Sequence, residues 1–64
     1  MKPGDKVIYM PKNQKGIIKS LSDDGTSAFV VYNCAEDWEN YKDYTGVKTE
    51  VVDLTNGWPN EDDI

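Results

Sequence analysis

The sequence predicts a small all-β domain, a meandering barrel of five short strands with one longer insertion before the fourth. Apolar residues come in short runs that are rich in β-branched and aromatic side chains. Gly, Pro and Asp separate these runs, and Asp24-Gly25 is the clearest turn signal. No long stretch spaces its apolar residues at the 3.6-residue period of an amphipathic helix. These observations favour a closed antiparallel sheet over a helical fold.

The first two strands follow the turn residues near the start of the chain. Residues 6–10 form the first predicted strand, which Pro11 ends. Residues 16–21 form the second predicted strand. Side chains in a strand alternate between its two faces, so Ile17, Ile18 and Leu21 cannot all share one face. We therefore expect this strand to bend, and a glycine at its start to ease the bend.

The third strand follows a hairpin turn at Asp24-Gly25 and spans residues 27–32. Its alternation predicts an inward set of Ala28, Val30 and Tyr32, and an outward set of Phe29 and Val31. A slip of one residue would exchange the two sets, and the sequence leaves that opposite register open.

The second half of the chain breaks the strand period between residues 33 and 45. Within that insertion, residues 35–41 suit one or two helical turns, with Trp38 and Tyr41 one turn apart. Residues 46–49 then predict a fourth strand, residues 50–53 a tight turn or 3₁₀ helix, and residues 54–58 a closing strand. The expected organisation is one domain over residues 1–58 and an acidic flexible tail over residues 59–64.

The composition limits how such a domain is held together and where it works. The chain has 64 residues, one cysteine (Cys34) and no histidine, so it forms neither an internal disulfide nor a Cys/His zinc site. Its core must therefore hold by packing. A lone thiol suits a reducing compartment, and no apolar run suggests a signal peptide or a membrane span. We expect a soluble cytoplasmic protein.

Charge is distributed unevenly along the chain. Residues 1–32 carry five Lys and three Asp (+2), whereas residues 33–64 carry two Lys and nine acids (−7), for a net charge of −5. Every basic residue is Lys, and Arg is the side chain best suited to bidentate contacts with phosphate or guanine. This composition disfavours nucleic acid as the partner.

The strand series resembles SH3-like barrels of the KOW and Tudor type, and also small uncharacterised phage-type and bacterial proteins of that design. The resemblance lies in residues 3–7, 15–21, 28–32 and 52–54, and it covers most of residues 3–58. It implies a binding module, because KOW modules bind RNA or ribosomal and transcription proteins and Tudor modules bind methylated Lys or Arg. The chain departs from both patterns, since it lacks Arg and its aromatic residues are not spaced as an evident cage.

The insertion supplies the candidate binding residues, because its aromatic side chains alternate with acids in a loop longer than the others. Aromatic faces flanked by carboxylates attract a cation, such as a methylated ammonium or a Lys- or Arg-bearing peptide. The competing interpretation is that Trp38 and one tyrosine cap the open end of the barrel. The predicted partner-binding residues are Trp38, Tyr41, Tyr44, Glu36, Asp37, Glu39 and Asp43.

The remaining candidates have simpler structural explanations. Phe29 with Tyr9 or Tyr32 suits a stacking platform but also core packing. The lysines at 12, 15 and 19 suit a basic patch but also solvated surface, and the acids at 23–24 and 37–43 do not have EF-hand spacing. Cys34 has no histidine to activate it. We therefore predict no catalytic residue, no metal and no cofactor.

The leading hypothesis is a non-enzymatic module that binds a basic protein or peptide through the insertion. A second hypothesis is a KOW-like nucleic-acid-binding module that uses the Lys-bearing first half. A third is a structural subunit of a larger assembly, pairing through an edge strand, and a fourth is an acidic phage-type decoy.

Overall fold

A computed structural model describes residues 1–58, and the predicted acidic tail at 59–64 lies outside the described residues. Five antiparallel strands form one sheet in the order β4-β3-β2-β1-β5, which confirms the all-β prediction. The strands are β1 (Lys6–Tyr9), β2 (Gln14–Leu21), β3 (Ser27–Val31), β4 (Val47–Glu50) and β5 (Leu54–Asn56). Short 3₁₀ helices span Met10–Lys12, Trp38–Asp43 and Val51–Asp53. Within residues 1–58, no helix has the length and apolar character needed to cross a bilayer.

The connection between β1 and β2 differs slightly from the prediction. Met10 belongs to a 3₁₀ turn that carries Pro11, so β1 ends one residue earlier than expected. Asn13 closes this turn in the left-handed region, with φ of 51°. The chain then re-enters the sheet at Gln14, two residues before the predicted start of the second strand.

The predicted bend in β2 is confirmed at Lys19, where the pairing with β3 changes register. Ile18 pairs with Val30, but the next paired residue is Ser20, opposite Phe29. The extra residue bends the strand while Ile17 and Ile18 are buried on opposite faces of the sheet, 4% and 0% exposed respectively.

Gly16 has a different role from the expected one of easing the bend. A Cβ atom at this position would lie 2.5 Å from Val30 Cγ1 and 2.9 Å from Tyr32 Cδ1. Glycine is required because side chains of β3 and the residue after it occupy that space. The glycine therefore lets core side chains pack directly on the β2 main chain.

The hairpin between β2 and β3 forms around Asp24 and Gly25, as the sequence predicts. Gly25 has φ of 76°, in the left-handed region. One Asp24 oxygen accepts hydrogen bonds from the Thr26 main chain (3.0 Å), the Thr26 hydroxyl (2.9 Å) and the Ser22 hydroxyl (2.8 Å). These bonds, with that from the Thr26 main chain foremost, lower the pKa of Asp24 from 3.8 to about 2.

The core lies on one face of the sheet, which we call the inner face. Ala28 and Val30 are fully buried there and Tyr32 packs against them, so the predicted inward set of the third strand is confirmed. Val31 is on the opposite, outer face, yet it is only 1% exposed. The central strands are therefore covered on both faces. The inner cluster consists of Val7, Ile18, Ala28, Val30 and Leu54.

The insertion forms a helix later than predicted. Ala35 and Glu36 have φ of 52° and 67°, a conformation that an L-residue cannot adopt within a right-handed helix. The 3₁₀ helix consequently begins at Trp38 rather than at residue 35, and it packs against β2. The predicted 3₁₀ helix before the last strand is confirmed at Val51–Asp53.

Candidate binding site

Two tryptophan side chains meet on the outer face of the sheet. The ring centroids of Trp38 and Trp58 are 4.9 Å apart, and the ring planes are inclined at 59°. Trp58 follows β5, and its indole N–H donates to the main-chain oxygens of Val7 (3.0 Å) and Gly16 (3.1 Å). These hydrogen bonds fix the Trp58 ring against the β1–β2 ladder, where the Trp38 ring packs on it.

A groove of about 450 Å³ lies along this tryptophan pair, and we call it the tryptophan groove. Its floor includes the buried Ile17 side chain, and the insertion provides acidic groups along its wall. Apolar rings beside a few polar groups are typical of a ligand-binding surface. The groove is lined by Lys6, Ile17, Glu36, Asp37, Trp38, Glu39 and Trp58.

Two lysine side chains place their ammonium groups near the ring of Trp58. The ammonium nitrogens of Lys6 and Lys15 lie 5.0 and 5.2 Å from the centroid of the Trp58 ring. Both distances are within the range of a cation–π contact. Positive charge is thus placed at the β1–β2 end of the groove, whereas Glu36 and Glu39 place negative charge at the insertion end.

Asp37 holds the insertion in shape. Its two carboxylate oxygens accept hydrogen bonds from the Asn40 amide at 2.9 Å and from the Tyr44 hydroxyl at 3.0 Å. The bond to Asp37, more than any other cause, raises the pKa of Tyr44 above its usual value of 10.0. Lys19 of β2 donates to the Tyr44 main-chain oxygen at 2.7 Å. Asp37 is therefore a structural group as well as part of the groove.

The structure brings together only part of the predicted partner-binding set. Trp38, Glu36, Asp37 and Glu39 all line the tryptophan groove. The remaining residues lie elsewhere. Tyr41 is half-buried with its hydroxyl close to Gly4, where an added Cβ atom would lie 3.4 Å from it. Tyr44 is half-buried and bonded to Asp37, and Asp43 is an exposed acid outside the groove lining.

Sequence reasoning missed Trp58, Lys6 and Ile17 as residues of the same groove. The sequence offered one signal, because Trp58 is one of only two tryptophans and follows the last apolar run. Trp58 lies close to Trp38 because β5 pairs with β1, which places the residues after β5 beside the first strand. That pairing is a long-range feature that local patterns do not reveal.

A second cavity, of about 350 Å³, opens beside Tyr9 and Tyr32. The two rings are 5.9 Å apart and both pack against the core. The Tyr32 and Thr49 hydroxyls are 2.8 Å apart, and burial raises the pKa of Tyr32. Phe29 belongs to the outer face and does not join them, so the three aromatic residues do not form the stacking platform that the sequence allowed.

The lysines of the possible basic patch are also separated. Lys12 lines the cavity beside Tyr9, Lys15 lies over Trp58, and Lys19 is bonded to the insertion. Cys34 is a free, buried thiol that is 2% exposed. Within residues 1–58, no group of three or more Cys, Asp or Glu side chains is arranged to hold a metal ion.

Comparison of the chain with family models, with curated proteins and with solved structures finds no match in any of the three.

Proposed function

We propose that this protein is a non-enzymatic binding module that receives a basic side chain of a protein or peptide in the tryptophan groove. The observation that carries the proposal is the position of Trp38, which is half-buried against Trp58 and flanked by the exposed acids Glu36 and Glu39. An aromatic face beside carboxylates attracts a Lys or Arg side chain through cation–π and charge–charge terms together.

The division of charge within the groove orients the ligand. Lys6 and Lys15 accompany the Trp58 ring, so an incoming cation is repelled from that end. Asp37 already accepts two hydrogen bonds from within the insertion. The ligand's positive group therefore binds beside Trp38, Glu36 and Glu39. An acidic group next to it in the ligand would reach Lys15.

We further propose that the sheet is an SH3-like barrel. Support comes from the strand order, in which β1 pairs with both β2 and β5, and from the 3₁₀ helix that joins β4 to β5. The single free thiol at Cys34 supports a reducing compartment such as the cytoplasm. Fold and compartment alone do not define a ligand, so the function rests on the groove.

The test is an NMR titration of the full chain with Arg-bearing and Lys-bearing peptides, and with matched peptides in which the basic residues are replaced by Gln. We expect amide shifts at Trp38, Glu39 and the Trp58 indole with basic peptides only. Trp38→Ala should abolish these shifts. Shifts centred on Tyr9 and Tyr32 would place binding in the other cavity and refute the proposal.

A matched pair of acid variants separates a local contact from overall charge. The double variant Glu36→Gln/Glu39→Gln neutralises the groove acids, whereas Asp43→Asn neutralises an exposed acid of the same insertion outside the groove lining. We expect the double variant to weaken binding by about tenfold, equivalent to about 1.4 kcal/mol. Asp43→Asn should leave the affinity unchanged. Equal losses per charge removed would indicate non-specific attraction.

A second candidate function is contact with single-stranded nucleic acid, favoured by the two ammonium groups over the Trp58 ring. A base stacking on an aromatic ring next to lysines is a common mode of single-strand binding. The acids in the groove and the net charge of −5 oppose it. Gel retardation at low salt tests it, with Lys15→Gln expected to reduce both the affinity and its salt dependence.

A further inference from the structure

The outer edge of β4 presents main-chain hydrogen-bonding groups at the end of the sheet. Among the strands of residues 1–58, β4 lies at one end of the order and pairs with β3 only. The Val51 main-chain N–H donates to the Thr26 oxygen at 3.0 Å, which makes Thr26–Val51 a hydrogen-bonded pair of the β3–β4 ladder. Hydrogen-bonded and non-bonded pairs alternate in an antiparallel ladder. The main-chain N–H groups of Lys48 and Glu50 therefore point away from β3, towards the open edge.

The charges along this edge are self-complementary. When two copies of β4 are placed antiparallel, an outward-pointing residue must face another outward-pointing residue. The possible pairings bring Lys48 opposite the partner's Lys48, Glu50 opposite the partner's Glu50, or Lys48 opposite the partner's Glu50. Only the last pairing places opposite charges at both symmetry-related positions. Thr49 then faces the partner's Thr49 across the two-fold axis.

We propose that the β4 edge is a self-association surface, through which two copies of this chain form a symmetric antiparallel β-sheet dimer in this register. In the dimer, the Glu50 N–H of each copy donates to the Lys48 carbonyl oxygen of the other copy. Each Lys48 ammonium lies beside the partner's Glu50 carboxylate. A two-fold axis repeats every contact, as an isologous interface requires.

Exposed valines near the two ends of β4 support a second copy of this chain as the partner. Val47 and Val52 are 53% and 81% exposed and are two of the large apolar residues that the described chain leaves at its surface. Val47 is the first residue of β4 and Val52 lies two residues after its end, so pairing of two copies would remove apolar area from water in addition to forming main-chain hydrogen bonds. A lysine on an edge strand usually discourages pairing with another strand. Here the partner's Glu50 faces Lys48 in the proposed register, so the two side chains attract each other.

The size of the surface determines the kind of dimer. A strand of four residues buries far less than the roughly 1,200 Å² of a stable protein–protein interface. The association is therefore reversible and dependent on concentration. It does not require the tryptophan groove, since none of the groove-lining residues belongs to β4. The dimer proposal thus stands or fails independently of the proposed function.

Charge-reversal variants of the full chain test the register directly. Lys48→Glu gives two acids on the edge and Glu50→Lys gives two lysines, so each variant alone would place like charges opposite each other. Sedimentation equilibrium should show each to self-associate at least about fivefold more weakly than the wild type. An equimolar mixture of the two restores opposite charges at both positions, and the double variant Lys48→Glu/Glu50→Lys does the same. Both should recover wild-type association.

The recovery controls for loss of folding. Glu50 accepts a hydrogen bond from the buried Ser27 hydroxyl at 2.9 Å, so Glu50→Lys also removes an internal contact. Folding damage would persist in the mixture, whereas a charge effect would be reversed. A wild type that stays monomeric at high concentration overturns the proposal. A dimer that is unaffected by Lys48→Glu, or weakened variants that the mixture fails to rescue, also overturns it.

Discussion

The indole nitrogen of Trp58 lies 3.0 Å from the main-chain oxygen of Val7, so residues 51 positions apart in the chain are joined by one hydrogen bond. The same N–H also reaches the Gly16 oxygen at 3.1 Å. Because β5 is only three residues long, this contact adds to a short ladder at the end of the described chain. Trp58 therefore lines the tryptophan groove and also links the residues after β5 to β1 and β2 through hydrogen bonds.

Trp58→Phe keeps an aromatic ring in place but removes the N–H donor. We expect it to lower the free energy of unfolding by about 1 kcal/mol, the typical net contribution of one hydrogen bond. Urea unfolding followed by far-UV circular dichroism measures the change. Trp38→Phe is the matched control, since it also trims an indole of the pair but leaves the Trp58 hydrogen bonds to Val7 and Gly16 in place. Equal losses in the two variants would mean that ring packing, not the hydrogen bond, determines the effect.

Gly16→Ala adds a methyl group where Val30 Cγ1 is 2.5 Å away. Overpacking of a close-packed interior costs about 1–3 kcal/mol, so we expect a clear drop in thermal and urea midpoints. Gly25→Asn is the control, because nothing in residues 1–58 lies within 4 Å of a Cβ atom added at Gly25 and asparagine tolerates its positive φ. That variant should cost less stability than Gly16→Ala, because asparagine is one of the L-residues that most readily adopt positive φ. A stable Gly16→Ala variant would show that the Val30 and Tyr32 side chains can move aside.

The carboxylate of Asp24 makes the stability of the folded protein vary with pH in the acidic range. The pKa of Asp24 is about 2 in the folded protein and 3.8 in the reference state, so the folded state favours the ionised form. Its stabilising contribution is complete above pH 3.8 and is lost as the pH falls towards 2. Urea midpoints of the wild type should fall across this window more steeply than those of Asp24→Asn. Parallel pH profiles would assign the acid sensitivity to other carboxylates.

Tyr44→Phe removes the hydroxyl that holds Asp37. We expect a lower free energy of unfolding and faster amide hydrogen exchange within Trp38–Asp43. Tyr41→Phe provides a comparison within the same insertion, because the Tyr41 hydroxyl faces Gly4 instead of a carboxylate. Exchange rates that rise equally in both variants would argue against a special role for the Asp37 contact.

The strands of this protein were predictable because their signals are local. The turn at Asp24-Gly25, the alternation around Val30 and the crowding of apolar residues at Ile17 and Ile18 depend on neighbouring residues only. Each corresponds to a hairpin, an inner face or a bend in the structure. The late start of the insertion helix was not predictable, since nothing in the sequence marked Ala35 and Glu36 for positive φ.

The candidate site was only partly predictable, for a related reason. Trp38 and its acidic neighbours are close in sequence and stand out by composition. The second tryptophan reaches them only through the pairing of β5 with β1. Composition also does not show which aromatic residues line the groove. Tyr44 does not line it, and its hydroxyl instead donates a hydrogen bond to Asp37. Side-chain roles of this kind are set by tertiary contacts.

The tryptophan groove draws its lining from β1, β2, the insertion and the residue two positions after β5. Its lining residues are distant from one another in the sequence, so a linear peptide copied from the insertion would not reproduce the groove. A ligand that recognises this arrangement binds the native state and not the unfolded chain, so it must raise the melting temperature as its concentration exceeds its Kd. A thermal shift that the wild type shows and Trp38→Ala lacks would therefore identify ligands of the groove.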